Sequence, residues 1–215
     1  MNLSELLQLT RIYIDDPNSD RVSDTKLTIL LNRGQEELQK VIDDTDEGYF
    51  WACQNYAVTA SSSSFEFNLP SNFKKAMLAE QLPDASSDPI PVIWSDFRRR
   101  HYNYSSNIWF PTITFAPVAY IRSGKIGVVK PNTSYTLRLW YVKRLMDLAT
   151  SGDVSEIPLE FHNLICLHAA MLLSGSEQRD FALINEYGAE LQRLQTTIEP
   201  RQRQEPRYVN ISDSE

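Results

Sequence analysis

The spacing of apolar residues changes character twice along the chain, near residue 50 and again near residue 143, and these changes set the order of its parts. Before the first change the apolar residues recur every three or four positions, as on one face of a helix. Leu3, Leu6, Leu7 and Ile14 do so in a first segment, and Leu27, Leu30, Leu31, Leu38, Val41 and Ile42 in a second. Asn2 and Glu5 form a capping-box pattern, in which two side chains satisfy backbone donors left open at a helix start. Ser23 is placed to cap the second helix, with Asp24 at its positive end. Pro17 disfavours helical backbone at Asp16, so "DDPNSD" is expected to end the first helix. Glu36, Glu37, Gln39 and Lys40 make up the other side of the second helix, which is expected to bury one face only.

From Phe50 to about Val142 the period is two. "FEFNLP", "TITFA", "KIGVVKP" and "YTLRLWYV" alternate, with turn signals between them, which predicts an antiparallel sheet of about four to six strands. "WSDFRRRHY" reads as one or two helical turns capped by Ser95. The helical period returns in "EIPLEFHNLICLHAAMLL", where Pro158 suits a first turn and Phe161, Leu164, Ile165, His168 and Leu172 share a face. A last helix is expected from Glu177 to about Ile198, carrying Phe181, Ile184, Leu191 and Leu194 and stopped by Pro200. The expected fold is α+β. A four-helix bundle-like domain is formed by N-terminal (1–49) and C-terminal (143–198) helix pairs, with an inserted antiparallel β subdomain (50–142) and a flexible C-terminal arm (199–215).

Composition narrows the function. A formal net charge of −7 over 215 residues argues against a dedicated phosphate-neutralising nucleic-acid binder. Cys53 and Cys166 are the two cysteines; a disulfide framework is not expected, a reducing compartment fits, and Cys166 reads as a small buried hydrophobe. No apolar run is long enough to span a bilayer, and the N-terminus lacks a signal-peptide pattern, so no membrane role is expected. Nucleotide-binding glycine loops and a nucleophile elbow are missing. His162 and His168 are six apart, off the i, i+4 spacing of a zinc pair, with His162 expected exposed and His168 in the core. No catalytic, cofactor or metal residues are assigned, and the chain is read as a non-enzyme. "DDTDE" (Asp43–Glu47) is read as a solvated acidic run. It stands at a helix C-terminus, where negative charge costs about 0.3–1 kcal/mol.

Two surfaces attract attention. Phe97, Arg98, Arg99, Arg100, Tyr102 and Tyr104 combine arginine with aromatics and read as an interface patch or a solvated loop, with a nucleic-acid groove less favoured at three arginines. In the arm, Arg201, Arg203 and Arg207 precede Tyr208, Val209 and Ile211, a short apolar-aromatic segment that suits strand addition to a partner's sheet or docking in a groove, or else is a frayed terminus.

"VSDTKLTILLNRGQEEL" resembles the second helix of head-to-tail adaptor (connector) proteins of tailed bacteriophages. "LLQLTRIYIDDPN", "FNLPSNFKKAM", "KIGVVKPNTSYTLRLWYVKR" and "EIPLEFHNLICLHAAMLL" are similar to further blocks of that family, in the same order. Gly34 departs from the pattern, where a small helix former is usual, and costs about 1 kcal/mol relative to alanine. The resemblance implies a structural virion protein without cofactors. It would form a ring of twelve subunits beneath the portal, joined to the tail tube or nozzle, with DNA passing through the channel. Such a protein is made in the host cytoplasm and resides in the virion neck. On this reading Asp15, Asp16, Glu36, Glu37, Asp43 and Asp44 would supply an acidic channel face, the arm would reach the portal and the β subdomain would meet the tail. The alternatives are a tail-completion or stopper protein of the neck, and a small DNA-binding module using Arg98 to Arg100.

Overall fold

A computed structural model of the chain describes residues 1–19, 21–62, 64–83, 88–96, 117–129, 133–174 and 181–202. The chain forms two units, one of residues 1–49 with 145–215 and one of residues 50–144.

The first unit is helical. α1 (Leu3–Tyr13) starts in the capping box of Asn2 and Glu5. Its end is a Schellman motif: the Asp16 N–H donates to the Arg11 carbonyl and the Asp15 N–H to that of Ile12, with Asp15 left-handed at φ 51°. Asp15, more than Pro17, ends the helix. α2 (Asp24–Thr45) starts at Ser23, whose side chain accepts from the Lys26 N–H. It buries Leu27, Leu31, Leu38 and Ile42, and also Gln35 and Gln39. Gln39, expected on the solvent side, is therefore a core residue. Pro158 caps a single 3-10 turn, Leu159–Phe161, that leads into α3 (His162–Ser174). α4 spans Phe181–Gln202, so Pro200 lies inside its last turn and does not stop it. Its buried stripe is Leu183, Leu194 and Ile198, with Tyr187 half-buried, whereas Phe181 and Ile184 are exposed.

The expected bundle-like arrangement of two helix pairs is not what forms. α3 touches α1, α2 and α4, and its residues Leu164, Ile165, Cys166, Leu167, Ala169 and Ala170 are all buried. A helix apolar on nearly every side is a central helix with neighbours around it, not one amphipathic member of a bundle with a shared seam. The fold remains α+β.

The second unit corrects the strand count. Among the described residues it contains eight strands in two four-stranded sheets: β1 (Trp51–Val58), β2 (Glu66–Asn68), β3 (Phe73–Leu82), β4 (Ile90–Pro91), β5 (Ile93–Trp94), β6 (Val118–Arg122), β7 (Lys125–Val128) and β8 (Tyr135–Lys143). One sheet has the order β1-β8-β3-β4 and the other β2-β7-β6-β5. All pairs are antiparallel except β5 with β6, which is parallel. Tyr135, Leu137, Leu139 and Tyr141 of β8 point inward as expected, and join Tyr56 and Val58 of β1, Ala79 of β3, Ala119 of β6 and Ile126 and Val128 of β7 in one core. The two sheets thus face each other across a common apolar layer. Ile113, Phe115 and the segment "FRRRHY" lie outside the described residues. Ser95 and Asp96 are described and are not helical.

Candidate functional surfaces

The amides of α2 make an arrangement that the sequence reading missed. Leu145 to Leu148 lie alongside α2. Asn32 Oδ1 accepts from the Leu148 N–H at 2.8 Å while its Nδ2 donates to the Leu148 carbonyl at 3.1 Å. Gln35 Nε2 donates to the Met146 carbonyl at 2.8 Å, and Gln39 Oε1 accepts from the Leu145 N–H at 3.3 Å. Three amides on one face of α2 therefore satisfy a backbone segment more than 100 residues away, as a neighbouring strand would. The signal in the sequence is three amides interrupting an otherwise apolar stripe.

At the start of α2 stands a charged knot in which Arg11 and Asp16 are buried and Asp24 is exposed. The Arg11 guanidinium donates to the Asp16 carboxylate at 3.2 Å, to the Asp16 and Val22 carbonyls and to the Asp24 carboxylate. Asp16 in turn accepts from the N–H groups of Arg21 and Val22. Asp16 is 4% exposed. It cannot contribute to an exposed acidic face, and its role is to hold the α1–α2 turn closed.

The remaining residues assigned to that face divide into two groups. Asp15, Glu36, Glu37 and Asp44 are exposed and Asp43 is half-buried. Around Glu36 and Glu37 stand the exposed Arg33 and Lys40, so charges alternate in sign along the middle of α2. At its end the sign is uniform: Asp43, Asp44, Asp46 and Glu47 follow one another, with no basic residue in the last turn. Asp46 has a local task, since its carboxylate accepts from the Gly48 N–H at 3.0 Å. The acidic surface contracts to this helix end.

The histidines exchange places relative to expectation. His162 is buried, with Nε2 2.8 Å from the Ile157 carbonyl and Nδ1 2.8 Å from the Met1 amino group. The first contact requires a proton on Nε2, which leaves Nδ1 as the acceptor. Burial pushes its pKa down, opposed by the carbonyl contact and assisted by the Met1 amino charge. His168 is only half-buried, its ring 5.7 Å from that of Tyr187, and its pKa is also lowered, first by burial. Cys166 is buried as expected, its thiol pushed up to about 11 by burial. Among the described residues no group of three or more His, Cys, Asp or Glu is placed to hold a metal ion. No described helix is long and apolar enough to cross a membrane.

In the β unit, Trp140, Arg138 and Glu80 form a cross-strand group on the outer side of the first sheet. Trp140 Nε1 donates to Glu80 Oε2 at 2.9 Å, Arg138 stands 3.9 Å from the same oxygen, and its guanidinium lies 5.9 Å from the centre of the Trp140 ring. Leu78, opposite Trp140, and Trp51 are substantially exposed beside them. The patch Phe97, Arg98, Arg99, Arg100, Tyr102 and Tyr104 lies outside the described residues. So do Arg203, Arg207, Tyr208, Val209 and Ile211 of the arm; Arg201 belongs to the last turn of α4.

No ligand set for catalysis emerges among the described residues; what they present is two units with polar, charged and aromatic outer surfaces. The family model described as SU10 adaptor protein matches residues 1–210. A search of curated proteins gave no match. With nearly the whole chain covered, both units included, the protein belongs to the SU10 adaptor protein family and is a structural adaptor of a bacteriophage.

Proposed function

We infer that the protein sits in the neck of the virion as a ring, twelve copies by the resemblance of its sequence blocks, with the portal on one side, the tail on the other and DNA passing through the middle. Membership of the adaptor family supports an association with portal and tail proteins. The observation that carries the ring and channel is the acidic end of α2. Asp43, Asp44, Asp46 and Glu47 crowd the negative pole of a 22-residue helix without a basic residue in its last turn. Each such charge costs about 0.3–1 kcal/mol against the helix dipole at low salt. The helix dipole disfavours that placement, whereas a channel wall uses it: repeated around a ring, the cluster repels the DNA phosphates and lets the duplex slide. The net charge of −7 is of the matching sign. The β unit, with Trp51, Leu78 and Trp140 on its outer side, is the better candidate for contacts with other neck proteins.

Cryo-electron microscopy of the protein mixed with the portal protein of the same phage tests this. The expected result is a ring coaxial with the portal channel and with the C-terminal end of α2 at the lumen. A ring with that end turned outward removes the channel reading, and failure to form any ring on the portal removes the adaptor-ring reading.

A further inference from the structure

Three of the four edges of the two sheets are short. Among the described residues β4 has two residues, one of them Pro91, β5 has two and β2 has three, one of them Glu66. Short strands, proline and charge are the devices by which sheet edges avoid pairing with other chains. β1 has none of them. It runs for eight residues, Trp-Ala-Cys-Gln-Asn-Tyr-Ala-Val, with no charge and no proline, and its pairing with β8 is regular throughout.

The hydrogen-bonding parity of β1 shows which groups face outward. The Lys143 N–H donates to the Phe50 carbonyl, and on the other side of β8 the Arg144 N–H donates to the Asn72 carbonyl. Odd-numbered residues of β8 thus bond to β1 and even-numbered ones to β3, so Ala52, Gln54, Tyr56 and Val58 are the residues of β1 that exchange bonds with β8. Cys53, Asn55 and Ala57 turn their backbone N–H and C=O groups to the open edge. The Asn55 carbonyl there accepts from the Gln54 side chain at 3.1 Å. The N–H groups of all three, and the carbonyls of Cys53 and Ala57, meet no partner among the described residues. The side chains of Cys53, Asn55 and Ala57 are exposed, while Tyr56 and Val58 point into the core.

The chain also carries a segment suited to this edge. Thirteen residues follow Gln202, the end of α4. Pro206 favours extended backbone at Glu205, and after Arg207 come Tyr208, Val209, Asn210 and Ile211, uncharged and rich in β-favouring side chains. We propose that β1 is the acceptor for the segment 207–212 of a second copy of this chain, which adds as a fifth strand to the first sheet.

A molecule that carries one donor segment and one acceptor edge, different from each other, assembles head to tail, and such contacts give a ring where the rotation between copies closes. This deepens the ring reading above and rests on it. The sequence alone directs the segment to a strand of the portal; β1 offers the same kind of acceptor on the protein itself. Alternation fixes the faces. With Val209 and Ile211 on the side of Tyr56 and Val58 they extend the apolar core, and Tyr208 and Asn210 then lie on the side of Cys53.

Cys53 makes the proposal testable in the full chain. It is an exposed thiol on the accepting strand, and Cys166 is buried. Single cysteines are introduced as Tyr208→Cys, Val209→Cys, Asn210→Cys and Ile211→Cys. Each variant is oxidised alone and when bound to the portal protein, with the unchanged chain as control. Tyr208→Cys and Asn210→Cys are expected to form disulfides to Cys53 of another copy, giving a ladder of linked chains on a denaturing gel, while Val209→Cys and Ile211→Cys do not. Equal linking at all four positions, linking at Val209→Cys and Ile211→Cys instead, linking within one chain, or no link to Cys53 in either sample overturns the proposal. Negative-stain images of the same samples separate the two readings. Rings without the expected links mean that the segment goes elsewhere, the portal included, and the ring reading stands; absence of rings on the portal counts against the ring itself.

Discussion

Gly34 of α2 meets the backbone carbonyl of Ile165 on α3: a Cβ at position 34 would lie 3.0 Å from that oxygen, and 3.4 Å from His168 Nδ1. The glycine that departs from the family pattern is therefore a place where the two helices approach closely against a rigid group. Alanine would gain about 1 kcal/mol in helix propensity, but a backbone oxygen yields less readily than a side-chain tip. Gly34→Ala is expected to lose the gain and lower stability by on the order of 1 kcal/mol, and Gly34→Leu by more. The urea midpoint of each variant decides it; a higher midpoint for Gly34→Ala would mean that α2 and α3 separate without cost.

A second glycine is fixed by an aromatic ring. Tyr120 of β6 pairs with Gly127 of β7, lies across it and donates its hydroxyl to Glu66 of β2 at 3.1 Å. A Cβ on Gly127 would fall 2.3 Å from the ring. Gly127→Ala must displace a buried tyrosine and is expected to cost about 1–3 kcal/mol. Combining it with Tyr120→Ala should recover part of that loss, measured as a double-mutant cycle by denaturant unfolding.

Those two glycines mark what local pattern reveals and what it hides. The caps at Asn2 and Ser23 and the inward row of β8 are written in neighbouring residues and are legible. β3 is not: "FKKAMLAEQL" favours a helix by propensity, and two register shifts against β8 break its alternation. Pairing on both sides overrides propensity there. β1 is obscured for another reason, because an edge strand exposed on most of its length has little hydrophobic contrast to show. Gln39 reads as a solvent residue until the Leu145 backbone, distant in sequence, supplies its partner. The acidic surface was legible as a run of charge, but the burial of Asp16 depends on Arg11 reaching it through the helix end.

Arg11 is expected to be the most sensitive charged position of the helical unit. Arg11→Ala removes the guanidinium that faces the buried Asp16 carboxylate, and removal of one member of a buried pair costs about 3–5 kcal/mol. Arg11→Met, which keeps the aliphatic packing, should fail to rescue it. Thermal unfolding compares the two; a loss under 1 kcal/mol would show that the knot opens to water at no expense.

Acid should weaken the fold before the carboxylates titrate. The pKa values of both His162 and His168 are lowered in the folded chain, chiefly by burial. The unfolded chain then binds these protons first, near pH 6.5, so the stability the neutral rings provide is complete above that pH and is lost as pH falls toward the folded values. The slope is bounded at about 1.4 kcal/mol per pH unit for each group. Denaturant unfolding at pH 7.5 and 5.5 measures it, and His168→Gln, at the half-buried site, should flatten the dependence. An unchanged slope would assign the effect to His162 and its contacts.

The acidic end of α2 works against its own helix dipole. Asp44 is exposed and does not make the capping contact that Asp46 makes with Gly48. Lysine there reverses the unfavourable interaction with the helix dipole, so Asp44→Lys is expected to raise stability by about 0.3–1 kcal/mol at low salt. If the end of α2 lines a channel, the same change turns a repelling wall toward a binding one. The assembled protein should then retain duplex DNA with a steep salt dependence, while the unchanged protein binds it poorly at physiological salt. Gel-shift titrations at several salt concentrations and the rate of DNA release from particles read the second effect, and urea midpoints the first. A variant that is more stable, assembles normally and releases DNA at the ordinary rate would show that this end of the helix faces away from the DNA path.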